Sequence, residues 1–425
     1  MNIIQTEIHK LRTSILARNF GWMFAGQGAN LLLQAAYFAI LGRLLGSTEY
    51  GIFVGAFALT NMLATFSAMG SGTLLVRYVG NDHAKFAAYW GNVLLLTSFF
   101  GLLLISGAQI IAPHILNPAS AALVFLSGVV SCFCSELTRN AAMVFQTFER
   151  MKITASVNFA SNLAKVCAAT WMVLQFRHAT AYQWAVASLI VSALTAFASV
   201  SAVTVSYGWP SFSPSLMFRG IPEGFGYSFA GSASSVYNDI DKTMLSHYGM
   251  NLSNGIYALA YRVIDVATTP VIALRDAAVP RFFRDGKNDP QALRKLTERL
   301  MQRSVLLMLL AAVIIYASAP LIPLLLGASF ADSVPAVRWL CLIPMLRAVH
   351  QMSGCAVMGL GKQKYRTAAQ LTVAVFNFLL NIFWIPAYGW RGAAWSSLLS
   401  DGLLAILNWG ILLLLCRPPV GTPQS

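Results

Sequence analysis

FAAYWGNVLLLTSFFGLLLISGAQIIA, residues 86–112, carries no charged side chain from end to end. An α-helix rises 1.5 Å per residue, so about 20 such residues cross the hydrocarbon core of a bilayer. Lipid offers no hydrogen bonds, so a lone segment there must close its own backbone bonds as a helix. Comparable runs recur along the chain and predict spans near 18–42, 50–76, 86–112, 119–147, 153–176, 181–207, 222–248, 252–280, 301–326, 332–359, 365–388 and 391–416. Only 10% of the 425 residues are charged, against about 25% in soluble domains. The expected fold class is therefore an all-α polytopic membrane protein of about twelve transmembrane helices.

The formal net charge of +14 invites a nucleic-acid reading, but the distribution of charge argues against one. With a cytoplasmic N-terminus, nineteen Lys and Arg fall on the cytoplasmic side of the predicted spans. Three fall outside, at Arg43, Arg177 and Arg391. That is the positive-inside pattern, and it places both termini in the cytoplasm of a multi-pass inner (plasma) membrane protein. Residues 1–17 lack the apolar core and cleavage site of a signal peptide. Ile4, Ile8, Leu11 and Ile15 recur at helical spacing there, which suits a short cytoplasmic interfacial helix as well as a frayed polar end. The six cysteines (132, 134, 167, 341, 355 and 416) form no CxxC or Cys/His set. They read as small buried apolar residues, and no metal or bound cofactor is expected.

Two short stretches recur in order. GRLLGSTEYGIF (42–53) is echoed by LSHYGMNLSNGIY (245–257), and MVFQTFERMK (143–152) by CAVMGLGKQK (355–364). The offsets are 203 and 212 residues, or six predicted helices. Six is even, so two such halves share an orientation and are related by a pseudo-two-fold axis along the membrane normal, which places a transport route between them. The expected organisation is a 1–17 interfacial segment, an N-lobe at 18–207, a cytoplasmic linker at 208–221, a C-lobe at 222–416 and a cytoplasmic tail at 417–425. One basic segment, RFFRDGKNDPQALRKLTERLMQR (281–303), joins spans eight and nine and reads as a solvated helix at the membrane surface.

Polar side chains inside the spans are costly and face protein or water. In span seven, Ser228, Ser232, Ser235, Asp239, Lys242 and Ser246 follow steps of three and four and share a helix face, with Asp241 off it. Span eight carries Arg262, Asp265, Thr269 and Asp276, with Arg275 adjacent. Span five carries Asn158, Asn162 and Lys165; span four Glu136, Arg139 and Gln146; span one Gln27, Asn30 and Gln34; and span eleven Gln370, Asn377 and Asn381. A hydrated cavity walled by Arg139, Lys165, Lys242 and Arg262, joined by Arg275, Arg338 and Arg347, would suit an anionic head group. Guanidinium suits phosphate through paired hydrogen bonds. An equally plain reading exists: Glu136/Arg139, Asp239/Lys242 and Arg262/Asp265 each sit three apart and can neutralise one another while holding helices together.

ARNFGWMFAGQGANLLLQAAYFAILGRLLGSTEYGIF (17–53) resembles the first helix and turn of the polysaccharide-transporter family, the Wzx-like flippase branch of the MATE-like multidrug/oligosaccharidyl-lipid/polysaccharide (MOP) exporter superfamily. SHYGMNLSNGIYALAYRV (246–263) and GLGKQKYRTAAQLTVAVFNFLLNIFWIPAYGWRGAAWSSLLSD (359–401) resemble its span seven to eight and span eleven to twelve regions. The resemblance implies two six-helix lobes that alternate between inward- and outward-open states. It also implies a polyprenyl-pyrophosphate-linked oligosaccharide as substrate, moved to the outer leaflet for O-antigen or exopolysaccharide assembly. Polysaccharide polymerase and chain-length machinery become expected partners, together with membrane lipid and without nucleic acid. The substrate-binding cations it suggests are Arg18, Arg139, Lys165, Lys242 and Arg262, with Asp239 and then Asp265 as carboxylates for H⁺ or Na⁺ coupling.

Three rival readings share the composition. A cation-coupled multidrug exporter of the same fold would want an acidic or neutral cavity. A membrane glycosyltransferase or polymerase would want a large extramembrane loop or clustered catalytic acids, and no P-loop, DxD or Ser/His/Asp set is present, so the chain is not expected to be an enzyme. A scaffold or lipid scramblase needs no such motif.

Overall fold

The computed structural model describes residues 2–416, with side chains from Gly28 onward. The helices are α1 Asn2–Ala64, α2 Ser71–Val79, α3 Phe86–Ile115, α4 Pro118–Ala121, α5 Val124–Gly128, α6 Glu136–Thr147, α7 Met151–Gln175 and α8 Ala181–Tyr207. They continue as α9 Pro214–His247, α10 Asn251–Asn288, α11 Pro290–Ser318, α12 Leu321–Leu326, α13 Ser333–Leu340, α14 Ile343–Gly359, α15 Gln363–Tyr388 and α16 Trp390–Leu415. The chain is an all-helical, multi-pass membrane protein, and no strand occurs among the described residues.

Eight helices among the described residues are long and apolar enough to cross a membrane, and they overlap nine of the twelve expected spans. The first of them, Gly28–Ala64, holds residues 28–42 of expected span one and 50–64 of expected span two, separated by a kink at Gly46 (φ 68°); the rest of span two runs through a turn into α2. The other three expected spans, at 119–147, 153–176 and 222–248, are the ones that carry the span-four, span-five and span-seven polar stripes. The 119–147 segment is further broken by a π-helical turn, Val129–Ser135, between α5 and α6.

Solvent preference is inverted relative to a soluble protein. Val205 is 88% exposed, Phe197 75% and Phe383 71%, while Asp401, Asn381 and Ser400 are fully buried. That distribution fits apolar side chains facing lipid and polar ones facing protein.

The chain forms two compact units, the first ending at Ser235 and the second beginning at Val236, so the division falls inside α9. The first has an apolar core of Leu75, Phe86, Trp90, Val144, Phe145 and Val203, gathered from α2, α3, α6 and α8. In the second, Phe282 and Leu293 from the basic 281–303 segment sit fully buried with Val271, Met352 and Val357. The inner face of that segment is thus core, and its charges occupy the outer one.

The echoed turns share backbone geometry. Gly46 and Gly249 both take left-handed φ, at 68° and 70°; Glu149 and Gly361 do so at 57° and 71°. At the second pair the closing bonds match as well. The Arg150 amide donates to the Phe145 carbonyl (2.8 Å), and the Lys362 amide donates to the Val357 carbonyl (3.1 Å). These are Schellman closures, in which a left-handed residue lets a 6→1 bond satisfy the last helical carbonyls.

Candidate functional site

The second unit gathers its charges around Tyr261. On α9, Lys242 is 6% exposed. Its ammonium donates to the Asn238 carbonyl and to Asp239 Oδ1 at 2.8 Å. The same ammonium lies 5.2 Å from the Tyr261 ring centre. On α14, the Arg347 guanidinium is 5.3 Å from that ring and donates to Asp265 Oδ1 at 2.7 Å. Arg262, one helical turn before Asp265, approaches the other carboxylate oxygen at 3.6 Å. Two cations within 6 Å of one aromatic ring is a cation–π arrangement, stronger where water is excluded.

Beneath this lies a second layer. Asp241 is 1% exposed. It accepts the Lys242 backbone amide at 2.8 Å, the Tyr257 hydroxyl and the Ser397 hydroxyl at 3.4 Å. His350 Nε2 on α14 is 3.1 Å from Asp401 Oδ1 on α16. Asn377 and Asn381 tie α15 to α16: Asn377 donates to Ser400 at 3.1 Å, and Asn381 accepts from Ser396 at 2.5 Å.

In the first unit, Arg139 donates to Glu136 Oε2 at 2.5 Å while its side chain stays 58% exposed. Asn162 on α7 donates to Asn30 on α1 at 3.2 Å, joining the span-five and span-one stripes. Lys165, one turn further along α7, is half-buried and forms no ion pair among the described residues. The C-terminal end of α2 is fastened to α9 by Glu223, which accepts from Arg77 and from the Tyr78 hydroxyl at 2.9 Å.

All three i,i+3 pairs foreseen in the stripes therefore form. Arg347 has no partner on its own helix and finds one on α10. Arg275 pairs with Asp276 at 2.7 Å, and Arg338 lies over the Tyr316 ring at 4.7 Å. The side chains of Arg18 and Gln27 lie outside the described residues, as do the side chains of residues 1–17 and the tail from 417. Within the second unit's cluster, Lys242 pairs with Asp239, and Arg262 and Arg347 both pair with Asp265, so each of these cations is met by a carboxylate. Helical spacing marks Asp239, Lys242, Arg262 and Asp265. It gives no sign of Tyr257, Tyr261, His350 or Ser397, whose roles depend on neighbours far away in the chain.

No group of three or more His, Cys, Asp or Glu with metal-ligand geometry occurs among the described residues. The polar layers can bind charge, exchange ion-pair partners and change helix contacts.

Comparison with solved structures identifies the architecture. The lipid II flippase MurJ in an inward closed conformation aligns with a TM-score of 0.73 at 14% identity, covering 92% of this chain and 86% of that one. An inward-facing multidrug resistance MATE family transporter of the MOP superfamily gives 0.69 at 14%, with 95% and 94% covered. A MOP superfamily transporter from Pyrococcus furiosus gives 0.65 at 13%, covering 95% of both chains. At such identities the likeness is one of fold. Among curated proteins, the probable low-salt glycan biosynthesis flippase Agl15 of Haloferax volcanii is 24% identical over 215 residues, 48% of this chain. The match spans 46% of that relative, about half its length. The sequence profile of the polysaccharide biosynthesis protein family matches residues 16–284, more than half of the chain, and the protein belongs to that family.

Proposed function

We propose that the protein moves a polyprenyl-pyrophosphate-linked oligosaccharide across the inner membrane by alternating access, for assembly of a cell-surface polysaccharide. The observation that carries the reading is membership of the polysaccharide biosynthesis family in a chain whose helices are apolar outside and ionic inside. The glycan-flippase relative adds support over the half of its length that aligns.

In this mechanism the diphosphate competes with carboxylates for cations already in place. The Arg262–Asp265 separation of 3.6 Å exceeds hydrogen-bond length, so this pair gives way to a diphosphate more readily than Lys242–Asp239 at 2.8 Å. Neutralising Asp239 with a proton, or screening it with Na⁺, releases Lys242 for the substrate; Asp265 does the same for Arg262 and Arg347. An ion gradient thereby biases the cycle through ion-pair exchange. Arg139 and Lys165 supply further cations in the first unit. Both termini lie in the cytoplasm, and the polymerase and chain-length machinery receive the product.

The test is transfer of a defined polyprenyl-pyrophosphate oligosaccharide across proteoliposomes by wild type and by the Lys242→Ala/Arg262→Ala variant. Transfer by wild type that the variant loses at least tenfold supports the reading. A folded protein that transfers none of several such substrates and moves cationic dyes instead is a drug exporter. Asp239→Asn transporting with unchanged H⁺ and Na⁺ dependence would remove Asp239 from the coupling role.

A further inference from the structure

Asp401 is a carboxylate inside α16 with no solvent contact. One of its oxygens, Oδ1, meets His350 Nε2 on α14 at 3.1 Å. The other, Oδ2, has no hydrogen-bond partner. An ionised carboxylate only accepts hydrogen bonds, and burying one without a compensating charge is costly. Asp241, nearly as buried, is met differently. The Lys242 amide and the hydroxyls of Tyr257 and Ser397 all donate to it.

Positive charge is short by one in this part of the second unit. Three cations, Lys242, Arg262 and Arg347, stand against four carboxylates, Asp239, Asp241, Asp265 and Asp401. Lys242 is taken by Asp239, and Arg262 and Arg347 share Asp265. The groups facing Asp401 come from three helices. Tyr237 on α9 and Tyr261 on α10 lie in its field, and α14 brings Arg347 and His350. Among the described residues, α11, α13 and α15 bring no charged or titratable side chain into hydrogen-bond or ion-pair contact with Asp401 or His350. Of these neighbours, histidine is the side chain that gains and loses a charge near neutral pH. The His350 side chain is 13% exposed, which leaves an edge open to protons.

We propose that His350 and Asp401 form a proton-binding site, distinct from Asp239 and Asp265, whose one stored proton on release passes Arg347 from Asp265 to Asp401. The proton sits on the imidazole or on the carboxyl group. Either way the pair is neutral, and the proton belongs to the pair rather than to one member. It supplies the missing positive charge. Release leaves a neutral imidazole beside an ionised Asp401. Arg347 lies three residues before His350, on the same face of α14, and it feels the charge of both Asp265 and Asp401. It then turns to Asp401 and leaves Asp265 to Arg262 alone, which changes the contact between α10 and α14. A place for this exchange in a transport cycle rests on the flippase reading; storage of the proton does not.

The full chain with isotope-labelled histidine rings is placed in lipid nanodiscs at neutral pH and read by NMR and infrared spectroscopy. His350→Gln identifies the His350 signal. The expected result is an imidazolium at His350 or the carbonyl band of a protonated carboxyl, and Asp401→Asn abolishes whichever is present. Should Asp401→Asn fail to fold, Asp401→Ser takes its place with the same expectation. A neutral imidazole, with no protonated-carboxyl band lost in the Asp401 variant, overturns the site and leaves an ordinary hydrogen bond from histidine to carboxylate. The handover of Arg347 is read from melting temperatures. His350→Gln keeps a donor for Asp401 but holds no charge, so Arg347→Gln lowers the melting temperature more in that background than in wild type. Equal shifts in the two backgrounds overturn the handover. A proton held by a chain that transfers no lipid-linked oligosaccharide removes the flippase reading alone. Transfer by a chain whose pair holds no proton removes this site alone.

Discussion

A lysine ammonium buried among helices keeps its charge only where oppositely charged groups replace water. Lys242 has the Asp239 carboxylate at 2.8 Å, the Asn238 carbonyl and the face of Tyr261. Removing one member of a buried pair leaves the other uncompensated and costs about 3–5 kcal/mol. Replacing both by apolar residues of similar size is often neutral. Asp239→Ala is therefore expected to lower the melting temperature sharply, and Asp239→Leu combined with Lys242→Met to recover most of the loss. Circular dichroism melts in one detergent compare the three proteins. Equal destabilisation by the single and double changes would show that the pair is not the unit holding α9 in place. A double variant that is stable yet inactive separates transport from folding. At this scale the i,i+3 pairs were legible in the sequence because a helix fixes their spacing. Asp241 was not. Its partners Tyr257 and Ser397 lie 16 and 156 residues away, and no local period encodes that distance.

Turns that join helices are set by which residues tolerate left-handed backbone. Gly361 and Glu149 occupy matching places in the two echoed turns, with φ of 71° and 57°. A side chain in that region costs roughly 1–2 kcal/mol, while glycine gives back about 0.5–1 kcal/mol through its greater freedom in the unfolded chain. Glu149→Gly is expected to stabilise by about 0.5–1 kcal/mol on that balance. Gly361→Ala should destabilise by a similar amount, with strain alone responsible, since a Cβ there meets nothing within 4 Å. Thermal unfolding of the two variants checks the pair. Loss of stability in Glu149→Gly would mean that the exposed carboxylate contributes something the backbone does not. The Gly-containing echoes were readable in the sequence, whereas Glu149 is concealed by an ordinary side chain. The same limit hid the π-helical turn at Val129–Ser135, whose residues VVSCFCS read as plain apolar helix.

Across the whole molecule, lipid inverts the usual rule of apolar inside and polar outside, and low charge content was enough to reveal it. Hydropathy was a weaker guide where polar stripes interrupt the apolar runs. The segments 119–147, 153–176 and 222–248 fall outside the eight membrane-length apolar helices, and they are the ones that carry Arg139, Lys165, Asp239 and Lys242. The orientation rests on charge asymmetry, and the outer surface makes it measurable. Arg43, Arg177 and Arg391, the three cations assigned to the periplasmic side, are all exposed, as is Lys295 in the basic 281–303 segment. Cysteines other than Cys167 are buried, so a Cys167→Ser background suits labelling. In intact cells with the outer membrane made permeable, a membrane-impermeant maleimide is expected to label Arg177→Cys and Arg391→Cys. Lys295→Cys should react only after the inner membrane is breached. Labelling of Lys295→Cys in intact cells together with silence at 177 would reverse the orientation. The basic surface of α10 and α11 would then meet the periplasm. Labelling of 177 and 391 on opposite sides would break the even helix count between them, and with it the shared orientation of the two halves.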